Sequence, residues 1–369
     1  MKVVFYLDNL KGGGVQRRTM RLLKGIVEQS EGRFIDLNLV INQGAGENIN
    51  MVPAEVKLHV LGGKAGRQLN DSLESALISL TPDIVVCCMG QQFIQAIKHK
   101  GKLLGSCRWY IIQAVPVNLI ANSWYSNLIR KLAIRYFYPK ADKVLCVSKD
   151  VQSTVDRLGL QRKTLTIYNP VVSENLLDLS NEPAEHEFFS KEHTVLVAAG
   201  RLNVQKDYFT LIKAFYLLKK MNANNISYKL LILGGGELLE KINSLVCDLG
   251  LQDDVDLVGF VDNPYKKIKK SDLFVMSSLW EGLPNAMIEA LAIGKKVVST
   301  DCIAGPREIL DNGKYGTLVP MQDPEALANG IIYELEQNRD TEVLVRRGWM
   351  FSVKNSAENY IKLFENGKL

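Results

Sequence analysis

Short runs rich in Val, Ile and Leu alternate with helical patterns along most of this chain, and that alternation constrains its fold more than any other feature. Strands buried on both faces of a parallel sheet have nearly continuous apolar sequences of this kind. The first six runs are Val3–Leu7, Leu37–Ile41, Val56–Leu61, Ile84–Met89, Trp109–Ile112 and Val144–Val147. After an acidic stretch predicted to be irregular, Ser173–Glu192, six more follow: Val195–Ala199, Lys229–Leu233, Val255–Val258, Leu273–Ser277, Lys296–Ser299 and Thr317–Val319. Helical patterns between the runs, such as Tyr208–Met221 and Leu238–Leu249, complete a strand–helix repeat.

Two α/β domains, each a doubly wound parallel sheet, account for this pattern. A chain of 369 residues is too long for one ordinary core. We expect one domain at residues 1–172 and the other at residues 173–352. Ligands should bind at the carboxyl ends of the strands in each domain. Two such domains facing each other would form a cleft.

The bulk composition is typical of a soluble globular enzyme, with 47% hydrophobic and 23% charged residues. No apolar run reaches the roughly 18 residues that a membrane-spanning helix needs. The amino terminus has no small-residue cleavage site and is interpreted as a first strand. The six cysteines are scattered without a C-x-x-C pair, which predicts neither disulfides nor zinc and indicates the reducing cytoplasm.

The charge is unevenly distributed along the chain. Residues 1–170 contain 23 Lys and Arg against 12 Asp and Glu, whereas the remainder contains 22 against 28. This asymmetry indicates an anionic partner for the first half, such as a membrane surface, a nucleic acid or a phosphorylated substrate. A solvated basic surface with no partner is the alternative.

The segment Asn127–Lys143 mixes five cations with large apolar residues, and Trp124 and Tyr125 stand just before it. That mixture suits an amphipathic helix lying on an anionic membrane, close to a lipid-linked acceptor. A helix that packs on the core and exposes a basic side explains the same pattern.

The most informative motif runs from Glu281 to Glu289. Pro284 suits the start of a helix and Gly294 its end, and Glu289 is the only charge in an otherwise apolar helix. A buried carboxylate is costly unless it is hydrogen-bonded, and a ribose diol would supply two donors. Glu281 precedes the helix where free amides favour a phosphate, so it is placed to hold sugar hydroxyls. The alternative is a pair of surface glutamates favoured by the helix dipole.

A second motif follows the predicted strand Val195–Ala199. Arg201 and Lys206 lie on the loop after it, where ligands bind in this architecture. Two cations at that edge can neutralise a diphosphate leaving group.

Together with Gly234-Gly235-Gly236-Glu237 and the segment from Asp301 to Glu308, these motifs resemble the family 4 glycosyltransferases, most densely from Val195 to Pro320. The resemblance implies a retaining enzyme of the GT-B fold, with a C-terminal helix, about residues 353–369, packed back onto the first domain. It implies that Glu281 contacts the transferred sugar, Glu289 the ribose, and Arg201 and Lys206 the diphosphate. The residues expected to complete the donor site are the glycines Gly234 and Gly235, the segment Gly259–Asp262 with Val261 along the base, and the amides of Asn285, Ala286 and Met287.

Two features of the first half depart from the family pattern. The loop Lys11–Gln16, with Gly13 and Gly14, is expected to line the cleft, but Val15-Gln16 replaces the family's usual small and acidic pair. Gln113 stands where many relatives have a His near the reacting carbon. Gln113 cannot act as a base, and retaining chemistry in this family needs little protein base, since the departing phosphate can accept the acceptor's proton.

The sequence therefore predicts transfer of a hexose or N-acetylhexosamine from a nucleotide-diphosphate sugar, UDP rather than GDP, to a saccharide acceptor that is lipid-linked. The expected setting is surface polysaccharide or glycolipid synthesis at the inner face of the cell membrane. Asp254-Val-Asp256 is interpreted as a strand entry, so neither an essential metal nor a cofactor is expected. The alternatives are a UDP-sugar 2-epimerase of the same fold, and a non-catalytic protein that binds nucleotide sugars or nucleic acid, although no nucleic-acid partner is expected.

Overall fold

The computed structural model describes residues 1–11, 13–44, 46–62, 66–103, 106–117, 124–221 and 225–367. Gly12 of the glycine loop and the side chains of Trp124 and Tyr125 lie outside the described part. The chain divides into a first unit, Met1–Val171 with Ser352–Leu369, and a second unit, Val172–Phe351.

The first unit is built on a seven-stranded sheet in which every described pairing is parallel, in the order β3-β2-β1-β4-β5-β6-β7. Val3 of β1 pairs with Leu37 of β2 on one side and with Ile84 of β4 on the other, so the strand order reverses at β1. The strands are β1 Lys2–Asn9, β2 Asp36–Gln43, β3 Lys57–Val60, β4 Ile84–Cys87, β5 Arg108–Gln113, β6 Lys143–Cys146 and β7 Thr164–Thr166.

Helices pack on this sheet through apolar faces. In the first of them, Met20, Leu23 and Ile26 are buried at helical spacing. The helices are α1 Gly14–Gln29, α2 Arg67–Leu80, α3 Gly90–Ala96, α4 Trp124–Phe137 and α5 Lys149–Val155.

The second unit has a six-stranded parallel sheet in the order β10-β9-β8-β11-β12-β13. Its strands are β8 His193–Ala199, β9 Ser227–Leu233, β10 Val255–Gly259, β11 Leu273–Met276, β12 Lys296–Thr300 and β13 Thr317–Val319. Its helices are α6 Leu176–Asn181, α7 Tyr208–Lys220, α8 Leu239–Asp248, α9 Tyr265–Lys270, α10 Asn285–Ala292, α11 Pro306–Ile309, α12 Pro324–Glu336 and α13 Thr341–Trp349. The strand order reverses at β8, between β9 and β11, and such reversals create ligand crevices.

The last helix, α14 Val353–Asn366, belongs to the first unit and packs on α1. The Ser352 side chain caps its first turn by accepting the Asn355 amide. A Cβ at Gly25 of α1 would lie 2.5 Å from Val353 Cγ1, so glycine permits the close approach of the two helices.

The predicted fold class, two doubly wound parallel α/β sheets, is confirmed. Two elements were not anticipated. The stretch Ser173–Glu192 contains the short helix α6, and the three-residue strand β7 has no apolar run that would reveal it.

Candidate functional site

Helix α10 is buried on nearly all sides in the second unit, as its apolar sequence requires. Residues from Met287 to Ala292 are buried, and the Glu289 side chain among them is only 9% exposed. The Tyr265 hydroxyl lies 3.0 Å from Glu289 Oε1, which partly offsets the cost of burying a carboxylate. Gly294 ends the helix at a φ of +80°.

The amino end of α10 presents free backbone donors. Ile288 is the first residue of α10 whose amide donates to a main-chain carbonyl, that of Pro284. Among the described contacts, the amides of Asn285, Ala286 and Met287 have no acceptor, as expected for a first helical turn. The Asn285 Oδ1 atom is buried without a hydrogen-bond partner. This end of the helix can therefore bind an anion.

Glu281 lies in the loop between β11 and α10 and is only 6% exposed. Its Oε1 accepts hydrogen bonds from Lys206 Nζ at 2.6 Å and Ser278 Oγ at 2.8 Å. Its Oε2 lies 3.3 Å from Gln205 Nε2. The structure thus brings together Lys206 and Glu281, which the sequence assigned to adjacent parts of one ligand.

The Lys206 side chain reaches Glu281 across the end of β8. A Cβ at Gly200 would lie 3.0 Å from Lys206 Cε, so the glycine leaves the path open. Asn203 caps the turn that carries Lys206, and the Ser277 hydroxyl donates to the Lys206 carbonyl at 2.8 Å. Both loops are therefore tied to each other at the carboxyl edge of the sheet.

Arg201 lies on the same loop, but its side chain is exposed and contacts neither Glu281 nor α10 in the described contacts. An exposed guanidinium at a strand end can still meet a ligand phosphate. Its assignment to the diphosphate stays a prediction.

The glycines after β9 pack against the loop after β8. A Cβ at Gly234 would lie 2.0 Å from the Gly200 carbonyl oxygen, whereas one at Gly235 would meet nothing within 4 Å. The Gly234 amide donates to the Gly259 carbonyl at 2.8 Å, which places the start of the Gly259–Asp262 segment beside this loop. Val261 in that segment is half-buried, and Phe260 is 71% exposed.

In the first unit, Gly13 and Gly14 start α1 at the carboxyl end of β1. A Cβ at Gly13 would lie 2.5 Å from Gln16 Oε1, whereas the space around Gly14 is open. Gly14 is therefore the position where a ligand could approach the backbone.

Gln113 ends β5 and is 3% exposed. Its Oε1 accepts the Tyr138 hydroxyl at 2.7 Å, and its Nε2 donates to the Val115 carbonyl at 2.6 Å. The amide of Gln113 is thus held by one accepted and one donated hydrogen bond within the protein.

The Asp254-Val-Asp256 carboxylates are bonded within the protein. Asp254 pairs with Lys219 and Lys229, and Asp256 Oδ2 lies 2.8 Å from His186 Nε2. Within the described residues, no group of His, Cys, Asp and Glu is arranged to hold a metal ion. The expectation of metal-free chemistry without a cofactor stays a prediction.

Burial raises the pKa of the Tyr208 phenol and, secondarily, so does the Glu281 charge. The neutral phenol donates to the Gly200 carbonyl at 3.3 Å. Burial likewise raises the pKa of the Cys302 thiol. Both groups are neutral at physiological pH.

Sequence reasoning missed three residues that contact the glutamates: Gln205, Ser278 and Tyr265. Gln205 adjoins Lys206, and Ser278 precedes Glu281 by three residues. Polar residues so close to a predicted site were the available signal, but only the folded contacts show which carboxylate each one bonds.

The chain is similar to known glycosyltransferases in sequence. The family model described as Glycosyl transferases group 1 matches residues 181–348. The Uncharacterized glycosyltransferase MJ1059 of Methanocaldococcus jannaschii is 40% identical over 199 residues, which are 53% of this chain and 48% of that protein. The N-acetylgalactosamine-N,N'-diacetylbacillosaminyl-diphospho-undecaprenol 4-alpha-N-acetylgalactosaminyltransferase of Campylobacter jejuni is 32% identical over 247 residues, 66% of this chain and 62% of that protein. The chain thus spans about half to three fifths of these two relatives' lengths.

Among solved structures, Anabaena Alr3699/HepE in complex with UDP and glucose matches with a TM-score of 0.75 and 17% sequence identity, over 99% of both chains. Identity at that level shows a shared fold. Both units therefore have the architecture of GT-B glycosyltransferases. Within this chain, residues 181–348 are similar to the glycosyl transferases group 1 family.

Proposed function

We propose that this protein is a retaining glycosyltransferase that moves a hexose or N-acetylhexosamine from a UDP-sugar to a lipid-linked saccharide. The observation that carries the proposal is the Lys206–Glu281 pair beside the amino end of α10, with the buried Glu289 further along the same helix. That group combines a cation, free amides and two carboxylates, which are the chemical groups that a nucleotide-diphosphate sugar requires.

The donor's parts are assigned as follows. The diphosphate binds the first amides of α10 and Lys206, because helix amino ends and ammonium groups favour phosphate. The sugar hydroxyls donate to Glu281, and the ribose hydroxyls donate to Glu289. Charge that develops on the departing diphosphate is then stabilised by fixed donors.

Support for a UDP donor comes from the Anabaena protein, whose structure is a complex with UDP and glucose. The resemblance to retaining enzymes supports retention of the anomeric configuration. In this mechanism the departing phosphate oxygen accepts the acceptor's proton, so the bonded state of Gln113 is no obstacle.

A lipid-linked acceptor is supported by the Campylobacter relative, whose name specifies a diphospho-undecaprenol substrate. Helix α4 supports a membrane location for this chain. Three apolar side chains on it, Leu128, Ile129 and Leu132, are 44%, 51% and 57% exposed. Lys131 and Arg135 lie on the same helix, and no acidic residue occurs from 124 to 140. An exposed apolar ridge with flanking cations suits an anionic bilayer.

None of the described helices is both long enough and apolar enough to cross a bilayer. On the strength of its exposed apolar ridge and cations, we assign α4 to docking on the inner face of the cell membrane, with the donor supplied from the cytoplasm.

The proposal is tested by thermal-shift measurements with nucleoside diphosphates and their sugars, followed by turnover of each stabilising donor. Binding to the native state raises the unfolding temperature, and we expect UDP to do so more than GDP. Transfer to a lipid-linked saccharide with retained configuration, read by NMR, completes the test. An epimerase would instead interconvert the UDP-sugar without an acceptor, and a binding protein would leave it unchanged; either result contradicts the proposal.

A further inference from the structure

Glu281 accepts hydrogen bonds from two side chains in addition to Lys206. Besides the ammonium at 2.6 Å, its two carboxylate oxygens are met by the Ser278 hydroxyl at 2.8 Å and the Gln205 amide at 3.3 Å. A carboxylate that is 6% exposed and fixed by three donors is held in one orientation.

When the donor binds, its diphosphate and Glu281 would both interact with the Lys206 ammonium. The incoming diphosphate is a strong acceptor that competes with Glu281 for the ammonium. If Lys206 turned to the phosphate and Glu281 had no other donors, a buried negative charge would be left uncompensated, which is strongly destabilising. The remaining hydrogen bonds to Glu281 must therefore come from groups that the diphosphate does not attract.

Ser278 and Gln205 meet that requirement because both are anchored elsewhere. Ser278 is fully buried, and its carbonyl accepts the Thr300 hydroxyl at 2.6 Å. Gln205 Nε2 also donates to the Trp280 carbonyl at 2.8 Å, so it ties its loop to the residue before Glu281.

We infer that Gln205 and Ser278 are positioning residues that hold the Glu281 carboxylate for the transferred sugar while Lys206 serves the diphosphate. This inference rests on the proposed function. The two residues act through Glu281 and do not contact the nucleotide, so they affect the transfer step and leave nucleotide affinity unchanged.

The test compares Gln205→Glu and Ser278→Ala with the wild type, using the UDP-sugar that the wild type turns over. Gln205→Glu preserves the side chain's shape but replaces the donor with a like charge. Loss of a hydrogen bond to a charged group corresponds to about a 10-fold or greater fall in kcat. We expect that fall in both variants, with the dissociation constant of UDP within about threefold of wild type.

Ser271→Ala is the matched control, because Ser271 is a buried serine of the same unit whose hydroxyl donates to the Lys267 carbonyl at 2.7 Å. It should keep the wild-type kcat. If the two side chains merely fill space, Ser278→Ala, which adds no charge beside Glu281, will retain full activity, and that result overturns the inference. UDP binding to each variant reports whether the site is folded. A wild type that turns over no UDP-sugar would contradict the proposed function itself, and the inference with it.

Discussion

Lys206 Nζ and Glu281 Oε1 lie 2.6 Å apart although 75 residues separate them in the chain. The pair closes a contact between the loop after β8 and the loop after β11, at the edge where parallel strands end. Two groups that we assign to different parts of the donor thus neutralise each other. In the proposed function, the diphosphate of the donor competes with Glu281 for the Lys206 ammonium.

Lys206→Ala should lower the transfer rate by about 100-fold, because it removes a fixed cation from the departing diphosphate. Initial rates at saturating acceptor provide the measurement. Lys213→Ala, on the exposed side of α7, is the control and should match the wild type. Unchanged transfer and donor hydrolysis in Lys206→Ala would show that the diphosphate binds elsewhere.

Glu289→Gln should weaken UDP binding by about 10-fold, because a neutral amide accepts the ribose hydroxyls less strongly than a carboxylate. The decisive measurement is calorimetry with UDP and with its 2′-deoxy and 3′-deoxy analogues. Wild type should discriminate against at least one analogue, and the variant should discriminate less. Equal discrimination by both proteins would place the ribose away from Glu289. Tyr265→Phe, which keeps the ring, separates the contribution of the hydroxyl that is bonded to Glu289.

Gly234→Ala and Gly235→Ala should differ sharply. The Gly234 φ is +141° and its Cβ would overlap the Gly200 carbonyl, so we expect a loss of about 2 kcal/mol or more in the free energy of unfolding. Gly235→Ala places its Cβ in open space, so the variant should fold normally. The added methyl group should crowd a phosphate bound at this backbone and so raise the KM for the donor. Denaturant unfolding and donor kinetics measure the two effects. Equal stability of the two variants would contradict the packing described here.

Replacing Leu128, Ile129 and Leu132 together by serine should weaken binding to vesicles that contain anionic lipid by about 10-fold or more, because the exposed apolar ridge of α4 is lost. Co-sedimentation at low and high salt measures the apolar and the charged contributions. Phe34→Ser removes an exposed aromatic elsewhere in the first unit and should leave vesicle binding intact. Undiminished binding by the triple variant would exclude α4 as the docking surface.

Lys295→Met should stabilise the second unit at neutral pH. Burial lowers the pKa of Lys295 to about 8, so keeping this ammonium charged costs the folded state free energy below that pH. At about 1.4 kcal/mol per pKa unit the cost is at most about 3 kcal/mol, and the lost bond to the Ser271 carbonyl offsets about 1 kcal/mol.

The stability gain in Lys295→Met should be largest below pH 8. It should shrink as the pH rises toward the pKa of a lysine in the unfolded chain, because the folded wild-type amine then loses its proton. Urea unfolding at pH 7 and pH 10 measures the difference, with Lys213→Met as the exposed control. A gain that does not change with pH would mean that the side chain's shape, rather than its charge, determines the effect.

The strand pattern was predictable because parallel strands buried on both faces leave continuous apolar runs, and Val195–Ala199 lies within β8 as observed. Strand β7 was not predictable, since Thr164-Leu165-Thr166 is short and two of its three residues are polar, and only its pairing with β6 defines it. For the site, an apolar helix with one carboxylate indicated burial of Glu289. The bonds of Gln205 and Ser278 to Glu281 could not be foreseen, because they depend on how two distant loops meet.

The first unit draws on both ends of the chain, with the Phe364 ring of α14 centred 6.3 Å from Phe5 and stacked 6.4 Å from Tyr110. During synthesis, the whole second unit emerges before α14 can reach that core. Contacts of such long sequence separation slow folding, and the nascent first sheet must wait with an apolar face uncovered. The first unit can therefore close its core only after the last helix is available, whereas the second unit is continuous in sequence and needs neither end of the chain to complete its own core.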